Sequence, residues 1–400
     1  MQFKTFDIVP HGTKFDFVGK RHVAVVLSIV VNLAVLLWTI PAIHGLNFGV
    51  DFAGGTEMEV RFAQAVDPGE IRKGVEALGF KDASVQTYGA DSEHTYLIRV
   101  GRIALLTAED VNRVKEAVKA KFPLAAEPAF NPDVGDKIDF QFQGTPPAPD
   151  ALKAAVESAG VRVREVREEA GLSAGTRSFA VVTQGIQDKI ERDLSARFGA
   201  SKPEVRRVEY VGPAVGRELR NQGFKAILYA MGLIVVYVGF RFDFRFAPGV
   251  IIALLHDAII TLGFFAFSGR EFNLTSVAVI LTVVGYSVND TVVVYDRIRE
   301  NQGKMKGKAL GDLVNASINE VLGRTFLTSF ATALSLIGLL VYGVGTIWDF
   351  SMAMLVGIIS GTYSTWFIAA PMTIWLEERA AKNKAAPSKP QHQPAARAAR

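Results

Sequence analysis

The side chains that could do chemistry in this chain sit where water should be scarce. His256 and Asp257 fall midway along one apolar stretch, and Asn289 and Asp290 fall late in the next. Arg324 opens the stretch after that, with Thr328, Thr332 and Ser335 following it at helical spacing. The stretch holding Asp290 adds Thr282, Tyr286 and Ser287. A charge near the centre of a bilayer is costly unless it is paired or wetted, so such residues mark pathways more often than they decorate helices. A carboxylate beside a guanidinium stays ionised, whereas an isolated buried one takes up a proton. Asp290 and Arg324 could therefore exchange a proton as their helices shift, driven by about 2.3 kcal/mol per charge per 100 mV of membrane potential. They could equally form a static ion pair that locks two helices, and the spacing does not choose between the two. Asp290 lies about 9 Å of helical rise from Asp296, within reach of a long arginine side chain. Asp296 and Arg297 read as interfacial anchors.

These residues need membrane helices to hold them. Roughly 20 mostly apolar residues span about 30 Å of hydrocarbon. Six stretches qualify: residues 22–43, 224–240, 246–267, 274–295, 325–342 and 350–376. The first follows Lys4, Lys14, Lys20 and Arg21 but is too long for a signal peptide and lacks a small-residue cleavage site, so it reads as an uncleaved anchor. Short-loop Lys and Arg set the orientation. They gather in the segment 1–21, at Arg241 and Arg245, between Arg297 and Lys308, and in the tail 377–400. Both termini are thus expected in the cytoplasm, and residues 44–223 outside. Leu310, Leu313, Val314, Ser317, Ile318 and Val321 form a helical stripe, expected as a surface-lying amphipathic helix over about residues 308–322, just before the fifth span. The tail, rich in Ala, Pro and Lys, is expected to be disordered. Gly357 and Gly361 form a small-xxx-small pair on the sixth span, a weak signal for close helix packing.

Composition narrows the alternatives. The chain has 400 residues and no cysteine, which excludes disulfides, thiolate metal sites and cysteine nucleophiles. Its six histidines, His11, His22, His44, His94, His256 and His392, show no metal-ligand spacing. The formal charge of +4 carries no basic stripe with interleaved aromatics, so it fits cytoplasmic loop charge and not a nucleic-acid partner.

The segment between the first two spans alternates strand-like and helix-like patterns. Strands are expected at residues 57–62, 83–88 and 95–100, and helices at 68–78, with Asp67 as cap and Pro68 first, and 108–122, with Thr107 as cap. The pattern recurs about eighty residues on. Strands are expected at 138–142, 163–167, 178–183 and 204–210, with helices at 149–159 and 184–198. Ile71, Val75 and Gly79 align with Leu152, Val156 and Gly160. Each copy, over residues 56–132 and 137–211, reads as a split βαβ, ferredoxin-like unit. The closing strand is clear in the second copy and weak, at 126–130, in the first. One irregular α+β domain that matches itself by chance is the alternative. The segment carries no catalytic triad, HExxH or phosphate loop.

Several segments resemble the SecF family, the smaller subunit of the SecD–SecF accessory complex of bacterial protein export. They include Gly49-Val-Asp-Phe-Ala-Gly-Gly-Thr56, with Asp51, Gly54 and Gly55, and Val211-Gly-Pro-Ala-Val-Gly-Arg-Glu-Leu219, with Gly212, Pro213, Gly216 and Glu218. Others are Leu254-Leu-His-Asp257, the run Val284 to Asn301 and Gly323-Arg-Thr325. The resemblance implies half of a twelve-helix bundle similar to resistance-nodulation-division transporters. It implies SecD, expected here as a separate chain, the Sec translocon channel, an unfolded exported polypeptide and membrane lipid as partners. It also implies protons as the coupling ion, with no cofactor and no catalysis, and an inner-membrane location. The family's functional aspartate and arginine fall on Asp290 and Arg324; His256, Asp257, Ser287, Asn289 and Thr328 are supporting polar residues. A further acidic partner is expected from SecD. The family's usual outer domain is a single, shorter unit, so its outer contacts do not transfer to this one. A small-molecule efflux subunit and a non-transporting scaffold are the rival readings.

Overall fold

The computed structural model describes residues 13–77, 83–88, 93–101, 108–123, 125–126, 128–130, 137–143, 147–169, 176–183, 186–242 and 246–385. Thr107, Gly79, Arg245, His11, His392, the first residues of the basic amino-terminal segment and the tail from 386 lie outside them.

Among the described residues, six helical segments are long and apolar enough to cross a membrane. They are α1 (Arg21–Trp38), α7 (Pro213–Arg241), α8 (Ala247–Ser268), α9 (Leu274–Lys304), α10 (Leu310–Tyr342) and a sixth formed by α11 (Thr346–Ser364) and α12 (Ala370–Ala385). A π-helical turn, Thr365–Ala369, joins the last two. The first helix is shorter than its apolar run: it stops at Trp38, whose indole N–H donates to the Ala266 carbonyl at 3.2 Å and whose ring stacks on His44. The surface-lying helix expected before the fifth span is instead its first turns. The stripe from Leu310 runs on into α10 because no proline or cap interrupts the periodicity, and its apolar residues pack against α9 and the amino-terminal segment. The sixth span likewise continues as helix to Ala385, so residues 377–385 are helical where a disordered tail is expected.

Pairs at the loop ends agree with six alternating spans. Arg21 at the start of α1 meets Glu378 on α12, and Arg241 at the end of α7 meets Asp296 on α9 at 3.4 Å. Asn319 on α10 clasps the amino-terminal segment by accepting from Phe15 N–H and donating to its carbonyl, at 2.9 and 2.8 Å. At the opposite end, Arg270 meets Asp349 at 3.1 Å.

Among the described residues, the α+β domain has two four-stranded antiparallel sheets. Its strands are β1 (Gly55–Arg61), β2 (Ser84–Tyr88), β3 (Thr95–Val100), β4 (Ala129–Phe130), β5 (Lys137–Gln143), β6 (Val163–Glu169), β7 (Thr176–Thr183) and β8 (Glu204–Val211). Its helices are α3 (Pro68–Ala77), α4 (Ala108–Lys121), α5 (Pro149–Ser158) and α6 (Ile186–Phe198). Asp67 caps α3 by accepting from Glu70 N–H at 3.1 Å.

The two sequence copies are not the two spatial units. The sheets run β2-β3-β1-β8 and β4-β5-β7-β6, so each half lends its closing strand to the other. The preceding helix travels with it: Ile190 and Leu194 of α6 pack in the first core with Ile71 and Val75, and Val114 and Val118 of α4 pack in the second with Leu152 and Val156. Connectivity to the membrane gives the reason. β1 and β8 are the strands joined to the bundle, and their pairing, from Gly55 with Val211 to Arg61 with Glu204, brings incoming and outgoing chains together. Each unit has the elements of a split βαβ fold with the closing strand beside the first, but neither is one contiguous copy.

Candidate functional site

The glycine-rich segments form the splice between domain and bundle. Gly49 N–H donates to the Phe272 carbonyl at 2.9 Å, and the short α2 (Val50–Ala53) follows. Asp51 accepts from Leu274 N–H at 3.0 Å, next to the Asn273–Ser276 capping box, so it adds an acceptor at the start of α9. Gly55 has φ +130°, and a Cβ there would stand 2.8 Å from the Val100 carbonyl. A Cβ on Gly216 would stand 3.1 Å from Gly54 N and 3.2 Å from the Phe52 carbonyl, so α7 packs directly on the backbone of α2. Gly212 precedes Pro213, the first residue of α7. Thr56 is buried between β3 and β8. Glu218 is not drawn into the splice; it is exposed and accepts from Gln222 at 2.8 Å.

Above the splice the first sheet touches the bundle through Arg99, which pairs with Glu57 at 3.3 Å and with Glu271. Burial pushes the Glu57 carboxyl up despite the neighbouring guanidinium, and burial lowers Arg99. No sequence pattern singles out this trio; sheet register and the α8–α9 turn bring it together.

In the bundle core, Asp257 is 0% exposed and is enclosed by three helices. Its Oδ2 accepts from Ser287 on α9 at 2.6 Å and from Ser364 on α11 at 2.7 Å. Its Oδ1 accepts from Ser360 on α11 at 2.6 Å and contacts His256 Nδ1 at 3.0 Å. Gly357 and Gly361 permit the arrangement: a Cβ on Gly361 would lie 3.0 Å from Ser287 Cβ, and one on Gly357 would strike Val283. Among the expected polar residues, His256, Asp257 and Ser287 are thus one cluster. Ser360 and Ser364 are missing from the sequence reading, although their four-residue spacing on an apolar helix was a usable signal.

Asp290 lies one turn beyond Ser287 and is 2% exposed. It looks the other way, toward α10. Ser329 stands beside it, between Asp290 and Thr362 Oγ1, the latter at 2.9 Å. Asp290 Oδ2 has no hydrogen-bond partner among the described residues. Arg324 is exposed and acts on Asp290 through its charge, without an ion-pair contact among the described residues. Thr328 donates within its own helix, to Thr325 or Arg324 carbonyls, and Thr332 bonds Tyr286 across to α9 at 3.2 Å. Asn289 is exposed. The bundle core therefore holds two buried carboxylates on opposite sides of α9: Asp257 enclosed by three helices, and Asp290 facing α10.

The family described as "Protein export membrane protein SecD/SecF, C-terminal" matches residues 191–379, and "SecD/SecF GG Motif" matches residues 40–66. A six-span bundle with this splice and these matches defines a membrane protein of the protein-export class. The protein translocase subunit SecF of Koribacter versatilis is 37% identical over 386 residues, covering 92% of this chain and 93% of that one. The SecF subunit of Magnetococcus marinus is 36% identical, covering 94% and 96%. A crystal structure of SecDF, a translocon-associated membrane protein from Thermus, aligns at TM-score 0.65 with 28% identity over 92% of this chain. A second SecDF structure, in a super-membrane-facing form, aligns at TM-score 0.56 with 28% identity over 94% of this chain. The chain spans about 40% of the length of those SecDF chains. It belongs to the SecF family of protein translocase subunits. That membership supports a transport role in protein export.

Proposed function

We propose that this chain is the SecF half of a SecD–SecF unit that uses the proton gradient to promote late translocation and release of exported polypeptides. One observation carries the reading: Asp290, buried at membrane depth, keeps an oxygen without a hydrogen-bond partner beside an exposed arginine. A locked ion pair, the scaffold reading, would have closed that contact. An exchange site needs it open, so that the carboxylate can meet the guanidinium in one helix arrangement and take up a proton in another. The uncovered apolar face of α10, with Phe326, Leu327, Phe330 and Leu334 exposed, suits SecD or lipid, and an acidic SecD side chain would complete the site.

The α+β domain stands on the periplasmic side of the inner membrane, and both termini are cytoplasmic, as the loop charges require. The domain contacts the exported chain, and the bundle docks near the Sec translocon channel; no cofactor takes part beyond the proton. The efflux reading asks for a ligand cleft between the outer units. A cavity of about 320 Å3 instead lies between the first sheet and the bundle, and its lining includes Asp51, Glu57, Glu59, Arg207, Glu209 and Arg270, which suits no apolar drug.

The test is export of a stalled precursor under an imposed proton gradient, with wild-type chain or Asp290→Asn co-produced with SecD. The variant is expected to lose the gradient-dependent fraction at normal protein levels. Unchanged export would leave the scaffold reading in place.

A further inference from the structure

The cage around Asp257 satisfies its hydrogen bonds in two different ways. An ionised carboxylate offers about four lone-pair sites. Ser287, Ser364, Ser360 and His256 fill them when His256 carries a proton on Nδ1. The second arrangement also closes. A protonated Oδ1 can donate to Ser360 Oγ, and the Ser360 hydroxyl can then donate to His256 Nδ1 at 3.3 Å. Ser364 has its own alternative acceptor, the Gly361 carbonyl at 3.1 Å.

Charge points the same way. Among the described residues, Asp257 meets no lysine or arginine, and its one charge-compensating neighbour is His256, 5% exposed. A buried carboxylate without compensation is strongly unfavourable, so a proton on either member of the pair stabilises the centre. Tyr363 on α11 is the titratable group facing the imidazole, with ring centroids 5.8 Å apart, and its hydroxyl is tied to the Ala24 carbonyl and Ser28 on α1. On α9, Tyr286 and Asp290 both face α10. α1 carries its one charged residue, Arg21, at its start, α7 carries none between Lys225 and Arg241, and α12 carries none before Glu377. The π-helical turn begins at the residue after Ser364, and its Thr365 bonds Thr291 on α9 at 2.9 Å. Such turns interrupt helices at functional sites more often than elsewhere.

We propose that Asp257, Ser360 and His256 form a second proton-holding centre, distinct from Asp290 and Arg324. The proton leaves Asp257 Oδ1 for Ser360 Oγ while the Ser360 hydroxyl proton passes to His256 Nδ1. Carboxylic acid and neutral imidazole become carboxylate and imidazolium, with no net charge created. Ser287 ties the centre to the helix that carries Asp290, so the state of one centre biases the helix that positions the other. The proposal takes from the functional reading only that a proton gradient drives the assembly.

The test is infrared difference spectroscopy between acid and alkaline buffer on the full chain with its co-purified SecD in nanodiscs. Two carboxyl bands are expected. Asp290→Asn removes one, and Asp257→Asn removes the other together with an imidazole signal that His256→Asn also abolishes. If no titrating band depends on Asp257, the residue is a fixed staple and the proposal falls, while Asp290 keeps its role. If no band depends on Asp290, the functional reading falls and the second centre stands. Should Asp257→Asn fail to accumulate, Ser360→Ala decides: a displacement of the Asp257 midpoint by about one pH unit, tenfold in proton affinity, supports the proposal. An unmoved midpoint overturns it.

Discussion

Replacing Asp257 by alanine should be the most damaging single change in the bundle core. The side chain gathers donors from α9 and α11 onto α8, with three hydroxyl contacts of 2.6–2.7 Å and one imidazole contact of 3.0 Å. A hydrogen bond to a charged group contributes about 1.5–3 kcal/mol. The four share one carboxylate and are not additive, and Ser364 can fall back on the Gly361 carbonyl. Truncating one member of such a buried network costs about 3–5 kcal/mol. Asp257→Asn should be much milder, about 1 kcal/mol. Its carbonyl oxygen still accepts from Ser287 and Ser364, and its amide can donate to Ser360 Oγ and to a neutral His256 Nδ1. Thermal unfolding in nanodiscs reads the difference: the alanine variant melts far below wild type, and the asparagine variant close to it. Equal melting of the two variants, or an alanine variant as stable as wild type, would show that the cage does not hold the three helices together.

Four further outcomes follow from the structure. Gly249→Ala places a Cβ 2.5 Å from Tyr295 Oη and 2.8 Å from the Ala369 carbonyl, so it should cost about 1–3 kcal/mol in melting experiments. Gly285→Ala, with nothing within 4 Å, should be neutral or slightly stabilising. Burial raises Glu57 above its value of 4.5 in the unfolded chain, so its contribution to stability is present below that range and is lost as pH rises through the raised one. Glu57→Gln should flatten that part of the melting profile against pH, and an unchanged profile would contradict the assignment. Arg324→Lys should impair export at normal protein levels, because an ammonium lacks the planar fork that addresses a carboxylate; full activity would rule out a role for guanidinium geometry.

Local elements were legible because local rules decide them. β3 spans Thr95–Val100 as its alternation requires, and α3 starts at Pro68 behind its Asp67 cap. The exchange of β4 and β8 between sheets was not legible. Alternation says which face of a strand is buried but not which neighbour it takes, and that choice came from the need to join β1 and β8 at the membrane. The merging of the amphipathic stripe into α10 was obscured by hydropathy: the stripe is half polar because the α9–α10 contact is itself polar, with Asn301 bonding Ser317 at 3.0 Å and Glu320 at 2.8 Å. In the site, the acids and Arg324 stood out because charges are rare at that depth. Ser360 and Ser364 did not, since serine is ordinary in packed membrane helices and only the folded bundle turns both toward Asp257.

Proton movement through Asp290 is tested most directly in proteoliposomes that hold the chain with SecD and a pH-sensitive dye inside. The wild-type pair should acidify the lumen when a potential is applied, and Asp290→Asn should abolish that flux while leaving assembly with SecD intact. Equal flux in the two preparations would contradict the account.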